Sequence, residues 1–150
     1  MLRDPALIPL SQQHHNGLAL CVLTERSLAG DRSAVNVAKL ARRIIDRYEI
    51  ELINHFGIEE NVLFPAIRSQ LGDLAAVAEL IADHRALEAL VEQLRTAPTV
   101  ILLEEFGELL RRHIRREENE LFQDIQQRLP LETLTAVGKQ IDAQAVRVCL

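Results

Sequence analysis

The sequence predicts an all-α protein: an up-down four-helix bundle with a short additional helix at its C-terminus. Three observations carry this. Apolar residues recur at helical spacing almost throughout, separated by short breaks rich in Gly, Pro and Thr. The five aromatics, Phe56, Phe64, Phe106, Phe122 and Tyr48, are too few for most β-sandwich cores. Histidines spaced 29 residues apart fall at matching distances from the breaks, as they would on antiparallel neighbours.

The elements follow in order. A first helix runs from about Ser11, read as its N-cap, to Ala29, and Gly30 supplies the stop. Residues 30–33 make a turn. A long second helix carries Leu40, Ile44, Ile45, Leu52, Ile58, Val62 and Leu63 on one apolar stripe, and Gly72 with Asp73 breaks it. Pro65 is expected to kink or end that helix, whereas Gln123 lets the fourth helix run on. The third helix extends to about Arg95, and the Thr96 to Thr99 stretch turns the chain again. The fourth runs to about Arg128 and is stopped by Pro130. An amphipathic segment from Leu131 to about Val146 forms the additional helix, lying against the bundle. The 150 residues read as one domain, with the bundle over about 10–128 and the last helix over about 131–146.

Composition narrows the function classes. A net charge of −5 argues against nucleic acid as a partner. The longest apolar run, Leu18 to Leu23, is far short of a membrane span. Met1 leads into Arg3, Asp4 and Pro5, which does not read as a signal peptide. Cys21 and Cys149 lack zinc-type or CxxC spacing, so a reduced pair in a cytoplasmic protein is the expectation. No Ser/His/Asp triad, Gly-rich phosphate loop or basic aromatic strip is present, which leaves hydrolase and nucleotide readings unsupported.

The chemistry lies in the histidines. His55, His84 and His113 are each followed four positions later by a glutamate: Glu59, Glu88 and Glu117. Positions i and i+4 share a helix face, so each pair can aim an imidazole and a carboxylate at one point. A transition metal of intermediate hardness accepts such a mixed set. With 15 glutamates in 150 residues, three such coincidences by chance are on the order of one in a thousand. A further pair, His14 and His15, lies on the first helix.

Residues at equal height in an up-down bundle are equidistant from the turn between their helices. The midpoint of His84 and His113 is 98.5, that of His55 and His84 is 69.5, and that of His15 and His55 is 35. All three fall at or beside a break, so four helices bring their histidines to one level. Carboxylates such as Glu59 and Glu117, buried there among Leu and Phe, would each cost several kcal/mol without a compensating cation.

The site is also repeated internally. Residues 55–64 and 113–122 share the frame H-x-x-x-E-E-N-x-L-F. This string resembles the helical element of the hemerythrin-like (HHE cation-binding) family, including the di-iron domain of bacterial iron–sulfur cluster repair proteins. The resemblance implies a non-haem di-iron centre, with two iron ions bridged by Glu59, Glu117 and an oxo or hydroxo group. His15 (or His14) with His55 would hold one iron, and His84 with His113 the other. His15 is preferred because Leu18 and Val22 continue its face, although Leu18 and Cys21 stand equally well to His14. Glu88 occupies the position where oxygen-carrying hemerythrins have a histidine. As a third carboxylate ligand it would favour ferric iron and disfavour reversible oxygen carriage. Tyr48 and Glu51, on the face of His55, are candidate outer partners for that ring.

The implied activity is binding or reaction of a small diatomic or peroxide (oxygen, nitric oxide or peroxide), or the handling or sensing of iron. A helical interaction module with a structural metal site, such as zinc, is the alternative. Six or seven converging ligands exceed what one tetrahedral zinc uses. Ferritin-like oxidases use Glu-x-x-His, a spacing missing here.

Overall fold

The computed structural model describes residues 2–148; Cys149, one of the two cysteines read as a reduced pair, lies outside the described residues. The chain opens with a 3-10 turn, Pro5–Leu7, in which Asp4 accepts the Ala6 N–H at 2.9 Å. Helix α1 (Ile8–Gly30) follows directly. It therefore starts before Ser11, because Pro9 is tolerated in the first turn. Ser11 is not the cap; its hydroxyl donates to Glu118 at 3.0 Å.

Ser33 caps α2, accepting from Asn36 N–H at 3.3 Å. This helix spans residues 34–71 and contains two π-helical turns, Tyr48–Leu52 and Glu59–Leu63. Gly72, at φ 81°, closes it in a conformation open to glycine. Of the kink or end expected at Pro65, the end does not occur. The π turn just before it has already shifted the hydrogen-bond register, and the helix continues to Leu71.

Helix α3 is Ala75–Thr96. Thr99 caps α4, which spans residues 100–128 with a third π turn at Glu117–Leu121. Helix α5 is Leu131–Gln144. It packs onto the Pro5–Leu7 turn, where a Cβ on Gly138 would lie 2.9 Å from Ala6 Cβ. Glycine at 138 permits that approach.

The core is split. One apolar cluster, including Leu40, Ile44, Leu87, Val91 and Phe106, fills the end bearing the α1–α2 and α3–α4 turns. A second, including Leu7, Leu63, Ile67, Phe122 and Ile141, fills the end covered by α5. Between them lies a buried polar layer of His14, His55, Glu59, His84, His113 and Glu117. Among the described residues no helix is long and apolar enough to cross a membrane.

Candidate metal centre

The structure brings six of the expected residues together, His14 among them, and places His15 and Glu88 outside the cluster. On α1 the buried face runs through Leu10, His14, Gly17, Cys21, Thr24 and Leu28. His14 lies on it, and His15, one residue on, is exposed. The preference for His15 relied on Leu18 and Val22. Those residues are partly buried and 37% exposed, respectively. Glu88 is the second residue outside the cluster. It is half-buried at the surface and accepts from Arg85 at 3.1 Å.

The ligand atoms form two overlapping groups. His14, His55, Glu59 and Glu117 make one, and Glu59, His84 and His113 the other. Glu59 is common to both. Its Oε1 lies 3.4 Å from His55 Nε2 and 3.0 Å from His84 Nε2. Glu117 spans the cluster in the same manner, with Oε1 3.1 Å from His14 Nε2 and 3.0 Å from His113 Nε2.

Three of the four imidazoles are hydrogen-bonded from behind, and the fourth faces a carboxylate. His55 Nδ1 meets Gln13 Oε1 at 2.8 Å, and His84 Nδ1 meets Glu60 Oε2 at 2.8 Å. His113 Nδ1 meets Asp83 Oδ2 at 3.0 Å, and His14 Nδ1 faces Glu118 Oε1 at 3.5 Å, long for a hydrogen bond. With Nδ1 engaged outward, Nε2 points into the cluster, the arrangement that fixes a metal-binding histidine.

The repeated sequence frame now has a physical meaning. Glu59, Glu60 and Phe64 all act on His84, the two carboxylates by the contacts above and Phe64 by stacking at 6.1 Å. Glu117, Glu118 and Phe122 do the same to His14, with Phe122 at 5.5 Å. In an α-helix, positions five apart diverge by about 140°. The π turns at Glu59–Leu63 and Glu117–Leu121 close i→i+5 bonds and stack those positions instead. Each repeat thereby turns three side chains on one ring.

Gln13, Glu60, Asp83 and Glu118 were not singled out from sequence. Two signals pointed to them. Glu60 and Glu118 are the second glutamates of the repeated frame, and Gln13 and Asp83 each precede the buried histidine of their helix. Tyr48 and Glu51, expected behind His55, serve elsewhere. Tyr48 packs on the apolar cluster, and Glu51 accepts from Asn16 at 2.8 Å and Arg47 at 3.1 Å.

The charges are unevenly distributed. Burial pushes His55 down to about 4, and burial with the nearby His113 charge pushes His84 down to about 3. Burial also opposes charge on His113, but Glu117 and Asp83 outweigh it and hold the ring up to about 9. His14 is raised too, burial being overcome by its contacts with Glu117 and Glu118. Burial and the adjacent Glu117 raise Glu59 well above the usual carboxylate range. Glu117, whose burial acts upward, is lowered by His113 and by hydrogen bonds from Glu59, His113 and His14.

This donor set fits a metal. Besides His14 Nδ1, four buried atoms of the cluster, His55 Nε2, Glu59 Oε2, His113 Nε2 and Glu117 Oε2, have no hydrogen-bond partner. Leaving such groups unpaired costs about 1–3 kcal/mol each, and more where charged. Cations coordinated by both carboxylates and the imidazole nitrogens would satisfy them together.

A helical bundle with a mixed histidine–glutamate layer in its core defines a cation-binding protein. The family model of the hemerythrin HHE cation binding domain matches residues 9–125, and the chain belongs to that family. No curated protein and no solved structure matches the chain significantly.

Proposed function

We propose that the protein holds two iron ions and uses them to bind or react with a small molecule, namely oxygen, nitric oxide or a peroxide. The supporting observation is the division of the cluster into two groups that share Glu59. His14 and His55 would hold one iron and His84 and His113 the other, with Glu59 and Glu117 between them. One zinc would use four of these ligands and leave the remainder buried without partners. Iron in a nitrogen–carboxylate site of this kind supplies redox chemistry and positions open to small ligands.

The protein's own residues prepare the site. Phe56 stacks on His84 at 4.0 Å and, with Phe64 and Phe122, lines the histidines with apolar rings that exclude water. Gln13, Glu60, Asp83 and Glu118 hold the imidazoles in position. With Glu88 turned to Arg85, the ligand set of this reading is four histidines and two glutamates, without the third carboxylate that would favour ferric iron.

The test is the optical spectrum of aerobically purified, iron-loaded protein, before and after addition of azide, peroxide or nitric oxide. The proposal predicts near-ultraviolet charge-transfer bands that change with at least one of these ligands. A spectrum indifferent to all of them would leave iron binding without small-molecule reactivity and overturn this reading.

A further inference from the structure

Three of the four histidines are backed by a carboxylate, which accepts a hydrogen bond whichever way it is turned. His55 is backed by the amide of Gln13, which accepts through only one of its two ends. If Gln13 presented its NH₂ group instead, His55 Nδ1 would have to be the acceptor. The ring proton would then sit on Nε2, the atom aimed into the cluster.

Groups outside the cluster determine which end is presented. Val146 N–H donates to Asn54 Oδ1 at 3.0 Å, and Asn54 Nδ2 donates to the Gln144 carbonyl at 2.9 Å. One backbone donor and one backbone acceptor thus fix the Asn54 amide, and neither can exchange roles. Gln13 faces two acceptors, Asn54 Oδ1 at 3.0 Å and the Val146 carbonyl at 3.2 Å, so it must turn Nε2 toward them. Its Oε1 then faces His55 Nδ1 at 2.8 Å. A ring nitrogen facing an obligate acceptor carries the proton.

We propose that the C-terminal strap following α5 sets the tautomer of His55 through Asn54 and Gln13, making these two positioning residues of the site. Gln13 is 4% exposed, so water does not substitute for the missing partners. The chain of hydrogen bonds links the end of α5, at Gln144, to one side of the cluster and leaves the His84 side untouched. The tautomer belongs to the chain alone; only its consequence for metal affinity rests on the metal-binding reading above.

The test uses the full chain, metal-free, with ¹⁵N-labelled histidine, and reads the Nδ1 and Nε2 shifts of His55 at neutral pH. The native protein should show the proton on Nδ1. Gln13→Leu should move it to Nε2, where Glu59 and Glu117 are the available acceptors at 3.4 and 3.9 Å. Gln13→Glu, which keeps an acceptor behind the ring, should retain Nδ1–H. Asn54→Leu leaves only the Val146 carbonyl to orient Gln13 and should give a mixture of both forms. Val146→Pro removes the anchoring N–H and puts the proline ring where Asn54 Oδ1 sits, so Asn54 gives way and a mixture should result too. An unchanged His55 in Gln13→Leu overturns the role of Gln13. Unchanged spectra in both Asn54→Leu and Val146→Pro overturn the role of the strap. Cobalt(II) titration then reads the consequence: Gln13→Leu should weaken one of two binding events by roughly 10–100-fold, and Gln13→Glu should not. A native chain that binds no cobalt would sink the metal-binding reading while the tautomer result still decides this one.

Discussion

Asp83 holds His113 through an Oδ2 to Nδ1 contact of 3.0 Å, while the matching position behind His55 is filled by the neutral amide of Gln13 at 2.8 Å. The two sides of the cluster are alike in shape and unlike in charge. A carboxylate behind an imidazole raises its basicity and strengthens it as a ligand. Burial opposes charge on both rings; at His113, Glu117 and then Asp83 outweigh it and hold the ring up to about 9, whereas at His55 burial prevails and pushes the ring down to about 4.

Asp83→Asn should remove the part of this asymmetry that Asp83 contributes beside Glu117. The titration of His113 in the metal-free protein should move down from about 9, followed by NMR. Affinity for the metal on the His84 and His113 side should fall by roughly 10–100-fold. An unmoved His113 would mean that Glu117 alone accounts for its basicity.

The dependence on pH has a definite sign. A histidine in the unfolded chain titrates near 6.5, whereas His113 in the fold titrates near 9. The fold therefore binds an extra proton in between. The stability this contributes is complete below pH 6.5 and is lost as pH rises through about 9. Metal must displace the same proton, so metal affinity rises across that window. The melting-temperature difference between metal-loaded and metal-free protein should widen from pH 6.5 to 9, as read by calorimetry. A constant difference would contradict displacement of that proton.

Much of this was legible before the fold was known. The breaks at Gly72 and Pro130, and the stripe from Leu40 to Leu63, fall where periodicity placed them, because core burial on a helix imposes a strict repeat. His55, Glu59, His84, His113 and Glu117 converge because equal distance from a turn means equal height. The α1 member of the cluster was harder to read. That helix carries apolar residues on several faces, with Val22 and Leu23 exposed, so its phase is weakly written in its composition. Glu88 illustrates the other limit: i+4 spacing puts a side chain on the right face but does not stop it turning to a neighbouring Arg85. The π turns left no mark on the hydrophobic pattern beyond the recurrence of E-E-N-x-L in both repeats.

Substitution should separate the six clustered residues from the two displaced ones. Glu88→Ala and His15→Ala should leave metal content and spectrum as in the native protein. His14→Ala and Glu59→Ala should lower metal content, Glu59→Ala affecting both metal positions. Elemental analysis of the purified variants reads this directly. Loss of metal in Glu88→Ala equal to that in His14→Ala would restore Glu88 as a ligand.

Phe122 tests the coupling of packing to the site. It is fully buried and stacks on His14 at 5.5 Å. Phe122→Ala should cost about 3–5 kcal/mol of stability in denaturant unfolding. It should also weaken metal binding on the His14 side, since the ring loses its backing. A stability loss with native metal affinity would confine Phe122 to packing.

The most direct test of the account is an anaerobic titration of the metal-free protein with iron(II), counting equivalents bound per chain. Two overlapping ligand groups sharing Glu59 predict saturation at two irons, and a lower count in Glu59→Ala. Saturation at a single iron, or at one zinc in its place, would contradict it.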